Sequence, residues 1–315
     1  PESVPGTSID RQCGSSQQAL QFAAQAVMSG TMDIVIAAGV ESMSREQMGQ
    51  SVFLPMKAGL GVPRSPRMEE RYPNIQFSQF MGAEMMASKY GLTREQLDEY
   101  GYRSHQRAIA ATQAGAFKDE IVAIDGKDAE GNPARHDSDE GIRYDVSLDG
   151  MRGVKLLREG GAITAATASQ ICDGASGVMV VSEKALKELG LTPMARIHNL
   201  TLIGHDPVIM LEAPLPATEK ALKKAGMSID DIDLYEVNEA FASVPVAWLK
   251  ATGADPEKLN VNGGAIALGH PLGASGTKLM TTLLHALKAR GGRYGLQTMC
   301  EGGGLANVTI VERLN

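Results

Sequence analysis

Twice along this chain a loop carrying a reactive side chain runs into an apolar helix, a glycine and an apolar strand. In the first unit the loop holds Cys13 and a helical pattern covers residues 16–29. Gly30 stops that helix, and residues 33–38 read as a buried strand ended by Gly39. In the second unit a glycine-rich loop holds His270 and the helix covers 275–290. Gly291 and Gly292 follow, and a strand over 294–300 ends on Cys300. The units match in pattern, not in residues. Between them the pattern predicts a strand at 175–181, helices at 183–190 and 218–225, a strand at 233–236, a helix at 238–251 and a strand at 259–261. A last strand covers 307–311. This alternation predicts an α/β fold with parallel strands, made of two similar halves. An apolar run such as 33–38 suits a sheet covered on both faces.

From about residue 42 to 169 the character changes, with frequent Met, Pro, Arg and polar residues. Helices are expected at 79–90 and 93–114, the second opened by a capping box of Thr93 and Gln96. The charged, Gly/Asp-rich stretch 126–149 reads as exposed loop or hairpin. The whole region reads as an insertion lying over a core.

Composition removes several classes of function. The chain has 315 residues, a net charge of −7 and only 4% aromatic residues. A broad nucleic-acid face needs a basic footprint, and a base-stacking platform needs aromatics. No apolar run reaches the ~18 residues of a membrane span. The opening residues lack the basic and apolar regions of a signal peptide. The 35 glycines exceed the usual ~7% share without low complexity, which marks tight turns and close backbone approaches. Three widely spaced cysteines, Cys13, Cys172 and Cys300, fit reduced thiols in a cytoplasmic compartment better than a disulfide framework.

Four motifs could carry chemistry. Cys13 stands just before a helix, where free N–H groups and the positive end of the dipole favour a thiolate and predict a lowered pKa. Its bland reading is a small buried core residue. His270 lies in Gly269-His270-Pro271-Leu272-Gly273, a turn without bulk that presents an imidazole as a base. Its bland reading is a loop histidine satisfied by backbone. His105, His136, His198, His205 and His285 lack such a setting and read as structural or surface residues. In Asn238-Glu239-Ala240-Phe241, Asn238 could cap the following helix, or hold a water, or polarise a carbonyl. In Cys300-Glu301-Gly302-Gly303-Gly304, a strand ends on a backbone able to aim N–H groups into a site. That turn could equally be a flexible connection beside a buried cysteine. Cys172 has no helper pattern and reads as packing.

The combination is more specific than any part. Cys13, Asn238-Glu239-Ala240-Phe241, the Gly-His-Pro loop and the Cys-Glu-Gly-Gly-Gly turn occur in that order at wide spacing. With Val40-Glu41-Ser42-Met43-Ser44, Thr167-Ala168-Ser169-Gln170 before Asp173-Gly174, and the run 260–276, they resemble the thiolase family over essentially the whole chain. The resemblance implies an αβαβα five-layer fold of two halves with an inserted loop domain. It places the N-terminal half at 1–42 and 170–193, the loop domain at 43–169 and the C-terminal half at 194–315. It implies reversible Claisen condensation and thiolysis of 3-ketoacyl-CoA, with acetyl-CoA as acyl partner. Cys13 would be acylated, His270 would take its proton, and Cys300 would move the α-proton of acetyl-CoA. One oxyanion site would use His270 and a water on Asn238, the other the N–H groups of Cys13 and Gly302. Ser169 would contact pantetheine, and Met81, Met210 and Phe241 would line the acyl pocket. No metal or cofactor is expected beyond the coenzyme A thioesters that are the substrates. A homodimer or homotetramer is implied.

Two departures matter. Family members usually carry a strand–helix–strand segment of several dozen residues before the point where this chain begins. Without it the first half would have an open sheet edge and uncovered apolar surface. Short-chain acetoacetyl-CoA thiolases often have a histidine just before the residue matching Met81; here it is Phe80, so a longer or bulkier acyl chain is open. Two alternatives remain at this point. A ketoacyl synthase would pair its cysteine with two histidines, or a histidine and an asparagine, whereas Cys300 and the Asn-Glu-Ala-Phe motif favour a thiolase. A non-catalytic acyl-CoA-binding or scaffold protein of the same fold is opposed by the retention of Cys13, Asn238, His270 and Cys300.

Overall fold

The computed structural model describes residues 1–128 and 130–314. In chain order they form α1 (Ser15–Met28), β1 (Ile34–Ser42), α2 (Gln50–Lys57), α3 (Pro66–Arg71), α4 (Gln79–Lys89), α5 (Arg94–Gln113), β2 (Ile124–Lys127), β3 (Pro133–His136), α6 (Leu148–Arg152) and β4 (Asp173–Val181). There follow α7 (Glu183–Glu188), β5 (Ala195–Gly204), α8 (Pro214–Ala225), β6 (Leu234–Val237), α9 (Ser243–Thr252), α10 (Ala265–Leu268), α11 (Ser275–Arg290), β7 (Tyr294–Glu301) and β8 (Leu305–Arg313). Ala129, inside the expected hairpin, and Asn315, at the end of the expected C-terminal half, lie outside the described residues.

The two helix–strand units are real. α1 and α11 each end on a left-handed residue or turn, Gly30 at φ +75 and Gly291 at φ +68, before the chain enters β1 or β7. The helices pack side by side as a central layer. On one side they cover the β1–β4 ribbon, and on the other the four-stranded sheet β5-β8-β7-β6. α8 covers the far face of that sheet and α9 packs on α8. The sheets are not parallel as expected: among the strands of the described residues only β6 and β7 pair in parallel, and β1–β4, β5–β8 and β7–β8 are antiparallel. The reason is that β7 and β8 are joined directly by a three-glycine turn, and β1 meets β4 only across the long insertion.

The contact between α1 and α11 is at backbone distance. A Cβ on Gly276 would lie 2.0 Å from the Gln17 N, so only glycine lets the helices approach this closely. The buried face of α1 is also more polar than its composition suggests. Gln17 donates to the Gln297 carbonyl at 3.3 Å and Thr309 Oγ1 at 3.1 Å, and Gln21 donates to the Val308 carbonyl at 3.0 Å. Its apolar Phe22 and Met28 are exposed. The expectation that β1 is covered on both faces fails among the described residues. Ala37 faces the helices, while Ile34, Ile36, Val40 and the Met179 of β4 are exposed on the other face.

Local expectations in the insertion hold. Thr93 and Gln96 form the reciprocal capping box of α5, and β2 and β3 form an antiparallel hairpin. Two expectations in the second half do not. Residues 259–261 are not a strand: Tyr235 and Leu259 form a single parallel bridge. Asn238 caps no helix, because α9 starts only at Ser243. Strand β5 carries no clear apolar run, since its exposed positions alternate with buried Asn199 and Thr201 at the edge of the sheet.

Gly276→Ala should force α1 away from α11. It is expected to cost about 1–3 kcal/mol, as overpacking does, read as a lower urea midpoint at unchanged slope.

Candidate active site

Cys13 lies in a single helical turn, Gln12–Gly14, that runs directly into α1. Its side chain is buried and packs with Leu279 and Met299, with Leu272 of the His270 turn against them. The expected position at a helix N-terminus is therefore correct, but the expected lowering of its pKa is not. The thiol is pushed up to about 12, first by burial, then by the Glu301 and Glu41 carboxylates. Two backbone N–H groups, of Cys13 and Gly302, face the sulfur and pull the other way without prevailing. These are the two amides expected to form one oxyanion site.

Gly302 follows β7, and the turn to β8 uses Gly303 at φ +85 and Gly304 at φ +76, a path open chiefly to glycine. Cys300, one residue before Glu301 at the end of β7, is fully buried. Burial raises its thiol pKa well above the usual value, and the adjacent Cys13 adds to the rise. The two thiols thus share one dry site.

His270 is buried, and burial lowers its pKa to about 4, with Lys278 adding to the shift. It is a neutral imidazole at neutral pH. Its tautomer follows from its partners. Ser275 Oγ lies 2.6 Å from Nδ1 and donates its one proton to the Pro271 carbonyl at 2.9 Å. Nδ1 therefore carries a hydrogen and donates to Ser275. Nε2 keeps the lone pair and accepts from Asn238 Nδ2 at 3.2 Å. Asn238 Oδ1 is buried with no partner among the described side chains. The turn is joined to the surroundings of Cys13 through Gly273, whose N–H donates to Glu41 at 2.9 Å.

Glu239 explains how this arrangement is held. Its buried carboxylate accepts from Tyr100 at 2.9 Å, Ser104 at 2.7 Å, Asn260 at 2.9 Å and the Ile266 N–H at 3.1 Å. It ties the end of β6 to α5 of the insertion and to the loop entering α10. A Cβ on Gly264 would come within 2.3 Å of this carboxylate. Sequence reasoning assigned no role to Glu239 or Ser275. The signals were the glycine pair Gly263-Gly264 and a hydroxyl five residues after His270.

The expected substrate residues lie nearby. Ser169 is half-buried and donates its N–H to the Ala240 carbonyl at 3.0 Å, beside Phe241. Phe241 is buried, and its ring meets the edge of Phe80 at 5.5 Å. Met81 is exposed in α4; Met210 is buried in the same cluster as Phe241 with a left-handed backbone at φ +54. A cavity of about 370 Å³ opens beside Ser169, lined by His105, Arg143, Ser147, Met151, Ala168 and Gln170 among others. Cys172 touches the His270 turn: a Cβ on Gly269 would lie 2.5 Å from its sulfur. Among the described residues no three His, Cys, Asp or Glu side chains converge to hold a metal, and no helix is long and apolar enough to cross a membrane.

This geometry suits acyl transfer, with one buried thiol facing two amides, a second thiol beside it and a neutral imidazole on the neighbouring turn. Comparisons with known proteins agree. Residues 1–184 match the thiolase N-terminal domain and residues 191–313 the thiolase C-terminal domain. The chain is 54% identical to the steroid 3-ketoacyl-CoA thiolase FadA6 of Mycobacterium tuberculosis, covering 100% of this chain and 76% of that protein. It is 44% identical to a 3-ketoacyl-CoA thiolase of Yersinia pestis, covering 100% and 80%. Among solved structures, human mitochondrial 3-ketoacyl-CoA thiolase superposes with a TM-score of 0.87 at 35% identity. The acetyl-CoA acetyltransferase of Bacillus anthracis gives 0.87 at 36%; each covers 100% of this chain and 80% of the other. The chain belongs to the thiolase family. It is an acyltransferase enzyme of that class.

Ser275→Ala removes the acceptor that fixes the imidazole tautomer. Losing a buried hydrogen bond of about 1–3 kcal/mol should lower kcat by roughly 10- to 100-fold, with the thermal midpoint lowered by only a few degrees; turnover within twofold of wild type would contradict the assigned tautomer.

Proposed function

We propose that the enzyme cleaves and forms 3-ketoacyl-CoA thioesters through an acyl thioester on Cys13. The observation that carries this reading is the Cys13 sulfur facing the Cys13 and Gly302 N–H groups with the Cys300 thiol beside it. A thiol held at about 12 supplies almost no free thiolate at neutral pH. Its proton therefore leaves as the sulfur attacks, to His270 Nε2, which is unprotonated above about pH 4 and exchanges the Asn238 N–H for that proton.

In the cleavage direction Cys13 attacks the 3-keto carbon and the bond between C2 and C3 breaks. The electron pair of that bond becomes the acetyl-CoA enolate, which takes a proton at C2 from Cys300. The acyl group remains on Cys13. Coenzyme A then attacks the acyl carbon, its thiol proton passing to the Cys300 thiolate, and Cys13 leaves and takes back the proton held on His270. Condensation is the reverse. Two oxyanions form. The Cys13 and Gly302 N–H groups serve the acyl-enzyme oxygen. His270, once it holds the proton on Nε2, and a water on Asn238 Oδ1 serve the thioester oxygen. These donors supply the electrophilic stabilisation, so the reaction needs no cofactor beyond its coenzyme A substrates.

Coenzyme A would lie along Ser169 into the cavity lined by Arg143, whose guanidinium suits a phosphate. The acyl chain would meet Phe80, Met81, Met210 and Phe241. Phe80 donates no hydrogen bond, its ring is half-exposed, and it rests edge-on against Phe241. Together with the steroid 3-ketoacyl-CoA thiolase named among the relatives, this favours a bulky apolar acyl chain over acetoacetyl. The three unpaired cysteines support a reducing, cytoplasmic setting. Membership of the thiolase family supports a homodimer or homotetramer, and sedimentation would read the state.

Intact mass after mixing with acetyl-CoA should show one acetyl group, mapped to Cys13 and released by free coenzyme A. Cys13→Ser should show none and no turnover; a folded wild-type protein without the adduct would overturn the reading. A bulky 3-ketoacyl-CoA should exceed acetoacetyl-CoA in kcat/KM by about tenfold or more, of the order that one or two kcal/mol of apolar contact supplies; the reverse ranking would refute the bulky-chain assignment.

A further inference from the structure

The proposed reaction leaves a buried carboxylate behind the Cys13 turn unused. The Glu301 side chain, at the end of β7, is 0% exposed. Its Oε2 accepts from Arg11 Nε in an ion pair, and Arg11 stands two residues before Cys13. Its Oε1 is buried with no hydrogen-bond partner. The carboxylate presses against Gly14, where a Cβ would come within 2.3 Å of Cδ and Oε1. Gly14 has φ −88, a backbone open to any residue, so glycine is required there for room. The turn itself is internally tied. The Arg11 N–H donates to Ser15 Oγ at 2.9 Å, the Ser15 hydroxyl to the Gln12 carbonyl at 2.7 Å, and the Gln12 N–H to Asp10 Oδ1 at 3.0 Å. It meets the end of β7 through the ion pair, the Gly14 contact, and the Gly302 N–H on the sulfur.

Resting on Cys13 as the nucleophile, we propose that the Arg11–Glu301 pair is a positioning device for its thiol. It docks the nucleophile turn on the end of β7 so that the sulfur meets the Gly302 N–H, and its two charges act on the sulfur in opposite senses. The charged and titratable groups facing this point are Arg11 on the turn, Glu301 and Cys300 on β7, and Glu41 at the end of β1. Glu301 raises the Cys13 thiol. Glu301 is itself pushed up to about 7 by burial, against the pull of Arg11 and the Asn307 N–H. Its charge therefore appears at the sulfur as pH passes through neutrality.

Alkylation of Cys13 by iodoacetamide between pH 6 and 9, read by peptide mapping, tests this beside kcat/KM for acetoacetyl-CoA. In wild type the logarithm of the alkylation rate should rise less steeply above about pH 7, because ionised Glu301 then holds the proton on the sulfur. Glu301→Gln should remove that break and raise the rate at pH 8.5 by about 3- to 10-fold. Arg11→Gln, which removes the cation that helps ionise Glu301, should move that break to higher pH. Both should reduce kcat/KM tenfold or more, since the sulfur and the Gly302 N–H lose register. Loosened packing would raise the alkylation rate across the pH range and leave the break where wild type has it. A break that persists in Glu301→Gln, or that stays at the wild-type pH in Arg11→Gln, overturns the proposal, and either variant decides alone if the other fails to fold. If wild-type protein is neither acetylated nor alkylated at Cys13, the nucleophile assignment fails instead.

Discussion

The backbones of α1 and α11 touch at Gln17 and Gly276, and the placement of the reactive groups follows from that contact. Cys13 stands at the N-terminal end of α1, and the His270–Ser275 turn leads into α11. Because the helices run together at their N-terminal ends, residues over 250 positions apart in sequence meet, with Leu272 packed beside Cys13. The sheet on one side then delivers Cys300 and the Gly302 N–H at the end of β7. Any side chain at 276 would separate the two turns before it disturbed either one.

Burial sets the electrostatics of the site. It raises both thiols and lowers the imidazole, so the resting site holds neutral groups and no preformed thiolate–imidazolium pair. In such a medium an N–H aimed at a developing oxyanion is worth more than it would be in water. The same medium makes a carboxylate near the sulfur effective, which is why the Glu301 charge and its Arg11 partner matter. Glu239 shows the opposite use of a buried carboxylate. Four donors satisfy it, and it acts as a clamp between the insertion, β6 and the loop entering α10.

Much of this was legible in the sequence where a local rule applies. The α5 capping box, the span of α11 and the glycine stops at 30 and 291 needed only their own neighbours. The extent of strand pairing was not legible. Parallel pairing was expected from alternation, but the direct β7–β8 turn and the long-range β1–β4 pairing make both sheets largely antiparallel. Asn238 reads as a helix cap by residue type, yet it sits five residues before α9 and turns its amide to His270 instead. The Cys13 thiol was misjudged for a related reason. The helix N-terminus is visible in sequence, but the burial and the two carboxylates that outweigh it come from β7 and β1.

The sequence by itself determined the class of chemistry and singled out the candidate reactive groups. A thiol, an imidazole, a second thiol and a run of glycines each carry their character with them, and their order along the chain is specific. Only the tertiary structure decided their protonation, the imidazole tautomer and the partners Ser275, Glu239, Arg11 and Glu301. Those properties depend on distance and on exclusion of water, and both are set by helices and strands that are remote in sequence and adjacent in space.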